Sequence, residues 1–494
     1  MSKTRSLLQN KYFQEGLFYA FALLCMMCFV LIQPFGEGPD EINRYRVVRF
    51  IADTGRLPRG DDPAVLIPGY GGSYAFQPML TYILEGWVVA FLRLFTSRFD
   101  VLLIGARMVN VAFGLGAAFY ARRLSRLLFP EALTQWAFSC LVVFLPQSLF
   151  LHTYVNTDSC ALFSVFMMFT QVLAGMRRGF DRGVCIRLGI SVTLCALSYY
   201  NAYGAVLVTI LLFVSAFIRR IPAGRITGNG TAFPMDQYEF RWQDMLRKGS
   251  LISLIVLAGA GWWFIRNAFL YQGDFLGMEA RNECVAATCT PQFHPLLRQT
   301  CQNQGMGVLE MVFGTDYFIL LLRSFVAMFG PMNVPTHYYI YTVYYWLFGL
   351  GLAAAALPVG RELSLHWESR KHRWLIHGGM VMACVIPIFL CVYYSYTWDF
   401  QPQGRYLMPM LPAFLYLVTL GVRKILLLLQ ALTEKGADRL SQNGNAEGGL
   451  RASGIHFLRW FSARLPQAVL WLVILFTLAA AGYSVFLVML PHYI

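Results

Sequence analysis

Long apolar runs recur from one end of the chain to the other, and they constrain the fold more than any other feature. Of the 494 residues, 57% are hydrophobic and 13% are charged, about half the charged share of a typical soluble domain. One soluble core cannot hide this much apolar surface, because the buried fraction levels off as chains grow. A bilayer accepts it, and a helical span needs about 20 apolar residues. We therefore expect an all-α, polytopic membrane protein.

Eleven of these runs are candidate transmembrane helices. The first is too long for a signal peptide and no small-residue cleavage site follows it, so we expect it to be retained. The predicted spans are residues 15–35, 101–120, 132–151, 159–176, 188–203, 204–218, 249–268, 340–358, 375–395, 405–422 and 466–489. Residues 426–465 are expected to form a cytoplasmic linker, since 442–454 are rich in Gly, Asn and Ser. Residues 466–494 then contain the final span.

Basic residues occur in short clusters between the apolar runs. Despite a net charge of +14, they do not form the continuous stripe that nucleic-acid binding requires. Clusters that flank spans are typical of cytoplasmic loops. With the N-terminus in the cytoplasm, every cluster lies on that side, provided that the apolar stretches 74–95 and 317–329 do not cross. Two large loops, 36–100 and 271–339, then face outward.

The first outer loop places two carboxylates at the start of a predicted helix. Pro39 is typical of a first helical turn, and Asp40 and Glu41 follow it directly. Near-helical spacing of apolar residues over 42–51 predicts an amphipathic helix at the membrane interface. The carboxylates either stabilise the positive end of this helix or take part in catalysis. Arg44 is four residues after Asp40 and could simply pair with it.

A second polar segment lies at the mouth of two predicted spans. It contains His152, Asn156 and Asp158. A carboxylate so close to hydrocarbon is costly, which favours a functional role for Asp158. The alternative is a helix cap, because Asn and Asp are preferred at that position.

Two arginines lie at the outer ends of later spans, where the positive-inside rule disfavours them. Arg266 is in the sequence WWFIRN and Arg405 is in QGRYLMP. The forked donors of arginine suit a phosphate group, so we predict an anionic ligand at Arg405. An ion pair with Asp399 is the alternative there. For Arg266, a ligand and an internal ion pair have equal weight.

Cysteines and metal ligands give weaker indications. Most of the 11 cysteines lie within apolar runs, where Cys behaves as a small hydrophobe. Cys284, Cys289 and Cys301 share one outer loop, and two of them could pair in an oxidising compartment. The eight histidines show no metal-ligand spacing. One acidic residue in each of two outer loops could still hold Mg²⁺ or Mn²⁺.

Several segments together resemble the GT-C glycosyltransferases, a superfamily that includes the protein O-mannosyltransferases and the lipid A aminoarabinose transferase. PDE at 39–41, followed by a helix that ends in GRLP, resembles their first outer loop. FQPMLTY at 76–82 resembles their PPLYY-type segment, and VNTD at 155–158 is similar to their second acidic loop. The likeness covers residues 15 to about 425. It departs from the aminoarabinose transferase at Gln77, where that enzyme has a lysine.

The resemblance implies a GT-C fold of about 11 transmembrane helices, with amphipathic juxtamembrane helices on the outer face and residues 1–425 as the catalytic module. It implies transfer of a sugar from a polyprenyl-phosphate carrier to an acceptor hydroxyl, outside a bacterial cytoplasmic (inner) membrane. The acceptor would be a lipid-linked glycan, lipopolysaccharide, a cell-wall polymer or a protein. The implied catalytic residues are Asp40 and Asp158, and the implied substrate-binding residues are Glu41, Arg44, His152, Asn156, Arg266, Arg405 and Tyr406.

A transporter or flippase for a lipid-linked sugar is the main alternative, and a non-catalytic scaffold is another. Transporters usually show repeated halves and polar residues at the bilayer midplane. The sequence has no internal repeat, and its notable charges lie at the outer edges of the spans. A scaffold does not explain why acidic and basic residues gather around two outer loops.

Overall fold

The computed structural model describes residues 10–221, 237–357, 370–442 and 449–494. Helices dominate, as predicted, and the polytopic all-α class is confirmed. The helices are α1 (Lys11–Ile32), α2 (Glu41–Thr54), α3 (Leu80–Leu92), α4 (Phe99–Leu128), α5 (Ala132–Val143), α6 (Pro146–Leu151), α7 (Asp158–Arg178), α8 (Arg182–Ala196), α9 (Tyr203–Ala216), α10 (Trp242–Leu270), α11 (Met278–Thr288), α12 (Val308–Gly314), α13 (Tyr317–Val326), α14 (Tyr338–Ala356), α15 (Arg370–Thr397), α16 (Leu411–Gln442), α17 (Gly449–Tyr483) and α18 (Leu490–Tyr493).

Short irregular elements join these helices. The 3-10 turns are Tyr74–Phe76, Tyr200–Ala202, Pro291–Phe293 and Gly404–Met410, and a π-helical turn covers Ser484–Met489. The strands are β1 (Ile218–Ile221), β2 (Gln237–Phe240), β3 (Met328–Phe329) and β4 (Val334–Pro335). They form two antiparallel pairs, β1 with β2 and β3 with β4.

Eight helical stretches in the described residues are long and apolar enough to cross a membrane. They are α1, α4, α7, α10, α14, α15, α16 with the 3-10 turn before it, and α17 with the turns after it. The other three predicted spans correspond to α5 with α6, to α8 and to α9. The first of these three is broken where Pro146 begins α6, because proline lacks the N–H that a continuous helix would need.

Four apolar helices in the described residues are shorter than the eight candidate spans, and two of them, α3 and α13, cover the stretches that were predicted not to cross. α3 has 13 residues and α13 has 10, which at 1.5 Å per residue gives roughly 20 Å and 15 Å. The hydrocarbon core is about 30 Å thick. These lengths agree with the prediction that stretches 74–95 and 317–329 stay on one side. On α3, Trp87 and Phe91 are exposed, as expected for a helix that lies in the interface.

The segment expected to be a linker is largely helical. α16 continues to Gln442 and α17 begins at Gly449, while 443–448 lie outside the described residues. Leucines and other good helix formers fill 426–442, so local propensity extends the span beyond its apolar part.

A hydrogen bond between the first outer loop and α18 constrains how many times the chain crosses the membrane between them. The Tyr493 hydroxyl donates to Glu37 Oε2 at 3.0 Å. The end of α18 and the start of the first outer loop are therefore on the same side of the bundle. The number of crossings between them must be even, which the ten predicted spans after α1 satisfy.

Apolar packing fixes α2 on the bundle. Val47, Val48 and Ile51 are buried on one side of α2, and burial of each side chain contributes about 1.5–3 kcal/mol. Gly86 of α3 lies beneath them, so close that a Cβ there would be 2.8 Å from the Ile51 side chain. The close approach of the two backbones holds the start of α2 in a fixed place.

Candidate active site

Asp40 stands immediately before α2 in an unusual backbone conformation. Its φ of 62° lies in the left-handed region, which non-glycine residues rarely adopt, although Asp and Asn tolerate it best. The side chain makes no capping hydrogen bond to the helix, so the carboxylate is free to point elsewhere. Gly38 lies against Tyr154, where a Cβ would approach the side chain to 2.7 Å. The loop that contains Gly38 and Asp40 therefore packs closely against the segment before α7.

Arg405 binds this carboxylate. Its Nη2 donates to Asp40 Oδ2 at 2.7 Å, and its Nη1 to the Pro39 carbonyl at 3.5 Å. The Arg405 side chain is buried, whereas 35% of the Asp40 side chain is exposed. The local pairing of Arg405 with Asp399 does not form, because Asp399 accepts a hydrogen bond from Gln401 instead.

A second ion pair lies beside the first. Arg44 Nη1 donates to Asp158 Oδ2 at 3.2 Å, and both side chains are buried. Arg44 therefore pairs with a residue 114 positions away and not with Asp40, its neighbour on the helix. The two aspartates and two arginines come from the start of α2, the start of α7 and the 3-10 turn before α16.

The two pairs act on each other electrostatically. Burial raises the pKa of Asp40, but the positive charges of Arg405 and Arg44 outweigh it and hold the pKa at about 2. A carboxylate with so low a pKa is fully ionised at neutral pH. Asp40 is therefore ready to accept a proton only if its surroundings become less positive.

Tyrosines surround the four charges. They are Tyr74, Tyr82, Tyr154, Tyr199 and Tyr406. The Arg44 guanidinium lies 4.9 Å from the centre of the Tyr74 ring, and Arg405 donates to the Tyr406 hydroxyl at 3.1 Å. In the described part of the chain, the buried hydroxyls of Tyr82 and Tyr154 and the Nε atoms of both arginines have no hydrogen-bond partner. Buried polar atoms without partners are rare, and a polar ligand would satisfy them.

Glu41 makes only internal contacts. Arg107 binds both of its oxygens, at 2.8 and 2.7 Å. The backbone N–H groups of Val155 and Gly36 donate to the same carboxylate at 3.1 and 3.2 Å. Because Glu41 is fully buried, these contacts favour a positioning role that ties α2 to α4 and to the segment before α7. The sequence analysis missed Arg107, although an arginine inside a span is itself a signal.

His152 and Asn156 shape the turn before α7. His152 Nδ1 lies 2.6 Å from the Ser159 hydroxyl. Asn156 donates to the carbonyls of Leu151 and Tyr154, and its Oδ1 accepts the Ser159 N–H at 2.8 Å. The alternative of a cap at Asp158 is wrong, because Asp158 lies inside the first turn of α7 and the residue before the helix is Thr157, whose side chain makes no capping hydrogen bond. Direct contact of either side chain with a substrate stays a prediction.

Arg266 holds a different part of the first outer loop. Its Nη2 donates to the Pro58 carbonyl at 2.7 Å, and its guanidinium lies 5.3 Å from the Trp263 ring centre. Nearby, the Gly60 N–H donates to the Tyr271 hydroxyl at 2.8 Å. These contacts link the loop to the outer end of α10 and do not involve Asp40 or Asp158.

A buried carboxylate on α3 also escaped the sequence analysis. Glu85 Oε1 accepts a hydrogen bond from Asn110 at 2.7 Å, and Glu85 Oε2 has no partner among the described residues. Asn110 also donates to the Tyr154 carbonyl at 2.8 Å. Glu85 therefore supports the site through α4 and the segment that contains Tyr154.

Metal ligands and disulfides are the remaining sequence predictions. In the ranges that the structure describes, no three His, Cys, Asp or Glu side chains come together as a metal site. The thiols of Cys284, Cys289 and Cys301 are free. A disulfide between two of them stays a prediction.

Comparison with protein families places the chain in one of them. The family described as "Predicted membrane protein (DUF2142)" matches residues 67–414. The chain belongs to the DUF2142 family. The matched region of this DUF2142 protein contains Asp158 and Arg405, whereas Asp40 and Arg44 precede it. No curated protein matches the chain by sequence.

Solved structures share its fold. The DUF2142 chain is similar to ArnT from Cupriavidus metallidurans bound to undecaprenyl phosphate, with a TM-score of 0.51 and 14% identity over 95% of this chain and 77% of that one. It is also similar to the oligosaccharyltransferase of Archaeoglobus fulgidus tethered with an acceptor peptide, with a TM-score of 0.50 and 12% identity over 96% of this chain. It covers 56% of that enzyme's length. At such identity the likeness concerns the fold, and the predicted GT-C fold is confirmed.

Proposed function

We propose that the protein is a glycosyltransferase that moves a sugar from a polyprenyl-phosphate carrier to an acceptor hydroxyl on the outer face of a bacterial cytoplasmic membrane. The observation that supports this most is the pair of aspartates and pair of arginines at one end of the bundle, surrounded by unpartnered hydroxyl and guanidinium atoms. The undecaprenyl phosphate in the ArnT structure supports the class of carrier. The acceptor is a glycan, a lipid or a protein.

Each partner of the Asp40–Arg405 pair suits one half of the reaction. An acceptor hydroxyl is a poor nucleophile, and a carboxylate can remove its proton. Asp40 is the more exposed of the two aspartates, so the acceptor reaches it more easily. The departing lipid phosphate gains negative charge, which the Arg405 guanidinium stabilises. Asp158 holds Arg44 in place beside them.

Donor binding also activates the base. With Arg405 and Arg44 beside it, Asp40 has a pKa of about 2, far below the value that suits a general base at neutral pH. A donor phosphate at Arg405 brings negative charge next to Asp40 and draws the guanidinium away from it. Both effects raise the pKa of Asp40. Proton removal from the acceptor is thereby favoured when the donor is present.

The position of the charges favours transfer over transport of a lipid-linked sugar. Asp40, Asp158 and Arg405 all lie at the ends of helices, on one side of the bundle. A transporter would be expected to place such groups near the bilayer midplane.

Replacing Arg405 with glutamine should lower kcat/KM for the lipid donor by about 10²–10³-fold, the usual effect of removing one charge-stabilising donor. The measurement is sugar transfer by purified protein at several donor concentrations, with thermal unfolding recorded in parallel. Arg59→Gln is the control, because Arg59 lies on the first outer loop in an exposed pair with Asp61 and makes no contact with Arg405 among the described residues. Equal activity of the two variants would contradict the role of Arg405.

Transfer should continue in the presence of EDTA. Each aspartate is paired with an arginine, whose positive charge opposes a second cation at the same carboxylate. The measurement is the transfer rate with and without EDTA. Activity that EDTA abolishes and Mg²⁺ or Mn²⁺ restores would instead show that the carboxylates bind a metal.

A further inference from the structure

A groove borders the side of α2 that faces away from Asp40. It has a volume of about 690 Å³ and lies between α2, the end of α3 and the start of α4. Arg46 and Arg49 follow Arg44 by two and five residues, which places them roughly 200° and 140° around the helix from it. The groove is therefore separate from the two ion pairs of the candidate active site.

The groove has an excess of positive charge. Arg46, Arg49 and Arg93 line it, and its lining contains no carboxylate among the described residues. Asp53, at its edge, pairs with both Arg49 and Arg93. The Arg46 side chain has no ion pair or hydrogen bond within the described ranges, and its Nε atom is buried. Three arginines thus share one carboxylate, which leaves about two positive charges for an anionic ligand.

The floor of the same groove is apolar. The rings of Phe35, Tyr45 and Phe99 pack edge to face, with centroids 5.0–5.7 Å apart. Phe99 is the first residue of the span α4 and is 47% exposed, as is Ile42. The groove therefore lies at the start of a candidate span, which is where a membrane interface is expected.

We propose that this groove binds an anionic glycerophospholipid of the outer leaflet. The lipid phosphate lies on Arg46 and Arg49, since forked guanidinium donors match phosphate oxygens. An acyl chain lies along Phe35 and Phe99. Because α2 starts immediately after Asp40, a lipid held on the back of this helix stabilises the position of the carboxylate. The lipid is neither the sugar donor nor the acceptor, both of which must reach the other side of α2.

Native mass spectrometry of the full-length protein in neutral detergent tests whether the groove binds an anionic lipid. Phosphatidylglycerol and phosphatidylcholine with the same acyl chains are added in equal amounts, and the retained lipid is measured. The wild type should retain phosphatidylglycerol at least about fivefold more than phosphatidylcholine. Arg46→Gln with Arg49→Gln should reduce that preference to less than about twofold, a difference of roughly 0.5–1 kcal/mol.

The control removes two positive charges elsewhere on the same loop. Arg56 and Arg59 are exposed and outside the groove, so Arg56→Gln with Arg59→Gln should keep the preference. A wild type without preference, or an equal loss in both double variants, would overturn the proposal. So would displacement of phosphatidylglycerol by millimolar inorganic phosphate, since that would indicate a site for phosphate alone. The readout is lipid retention, so the result is independent of whether the protein transfers sugar.

Discussion

Replacing Asp40 with asparagine should lower sugar transfer by about 10²–10⁴-fold, the range that a general base contributes. Asparagine has nearly the same size and tolerates the left-handed φ of 62° at this position. The backbone should therefore keep its conformation, and the loss of sugar transfer should be due to the missing carboxylate. The measurement is the rate of transfer from a lipid-linked donor at saturating donor concentration.

Asp61→Asn provides the matched comparison. Asp61 lies on the same outer loop, where it forms an exposed pair with Arg59, and its variant should transfer sugar at close to the wild-type rate. Thermal unfolding of Asp40→Asn should remain similar to that of the wild type. Normal activity in Asp40→Asn would rule out Asp40 as the base.

Replacing Glu41 with glutamine should destabilise the folded protein by about 3–5 kcal/mol, because Arg107 would keep its charge in a buried site without a counter-charge. Arg107 is almost fully buried and Glu41 completely so. Loss of this pair also frees α2 from α4, so activity should fall together with stability. The measurement is unfolding of the purified protein in detergent, by heat or by denaturant.

Two further variants test whether the unpaired buried charge is the cause of the lost stability. Glu41→Met with Arg107→Met removes both charges and should recover part of the lost stability, since a buried pair can often be replaced by apolar residues. Asp61→Asn breaks an exposed pair and should cost less than about 1 kcal/mol. If Glu41→Gln were as stable as the wild type yet inactive, the positioning role would be wrong, and contact with a substrate would be favoured.

The sequence was sufficient to predict the polytopic all-α class, and it singled out Asp40, Arg44, Asp158 and Arg405, which the structure brings together. It did not predict how they pair. Local spacing offered Arg44 with Asp40 and, as the alternative to an anionic ligand, Arg405 with Asp399. In the structure, Arg44 binds Asp158, and Arg405 binds Asp40 from 365 residues away. The left-handed conformation of Asp40 and the packing of Gly404 against α13 are tertiary features that local spacing does not contain.

Buried ionisable residues inside apolar stretches were also missed. Glu85 and Arg107 lie where averaged hydropathy is high, so each is hidden by its apolar neighbours. A single charged residue within an apolar run was the feature that could have identified each of them, because such a residue is costly in an apolar environment unless it has a partner. The partners, Asn110 for Glu85 and Glu41 for Arg107, become visible only when the helices are packed together.

A transfer assay tests the proposed function most directly. Purified wild-type protein and Asp40→Asn are incubated with radiolabelled polyprenyl-phosphate sugars and a membrane-lipid extract. We predict that label moves into a new product with the wild type alone. Saturable binding or movement of the lipid without transfer from any donor would contradict the glycosyltransferase proposal and favour a transporter of lipid-linked sugars.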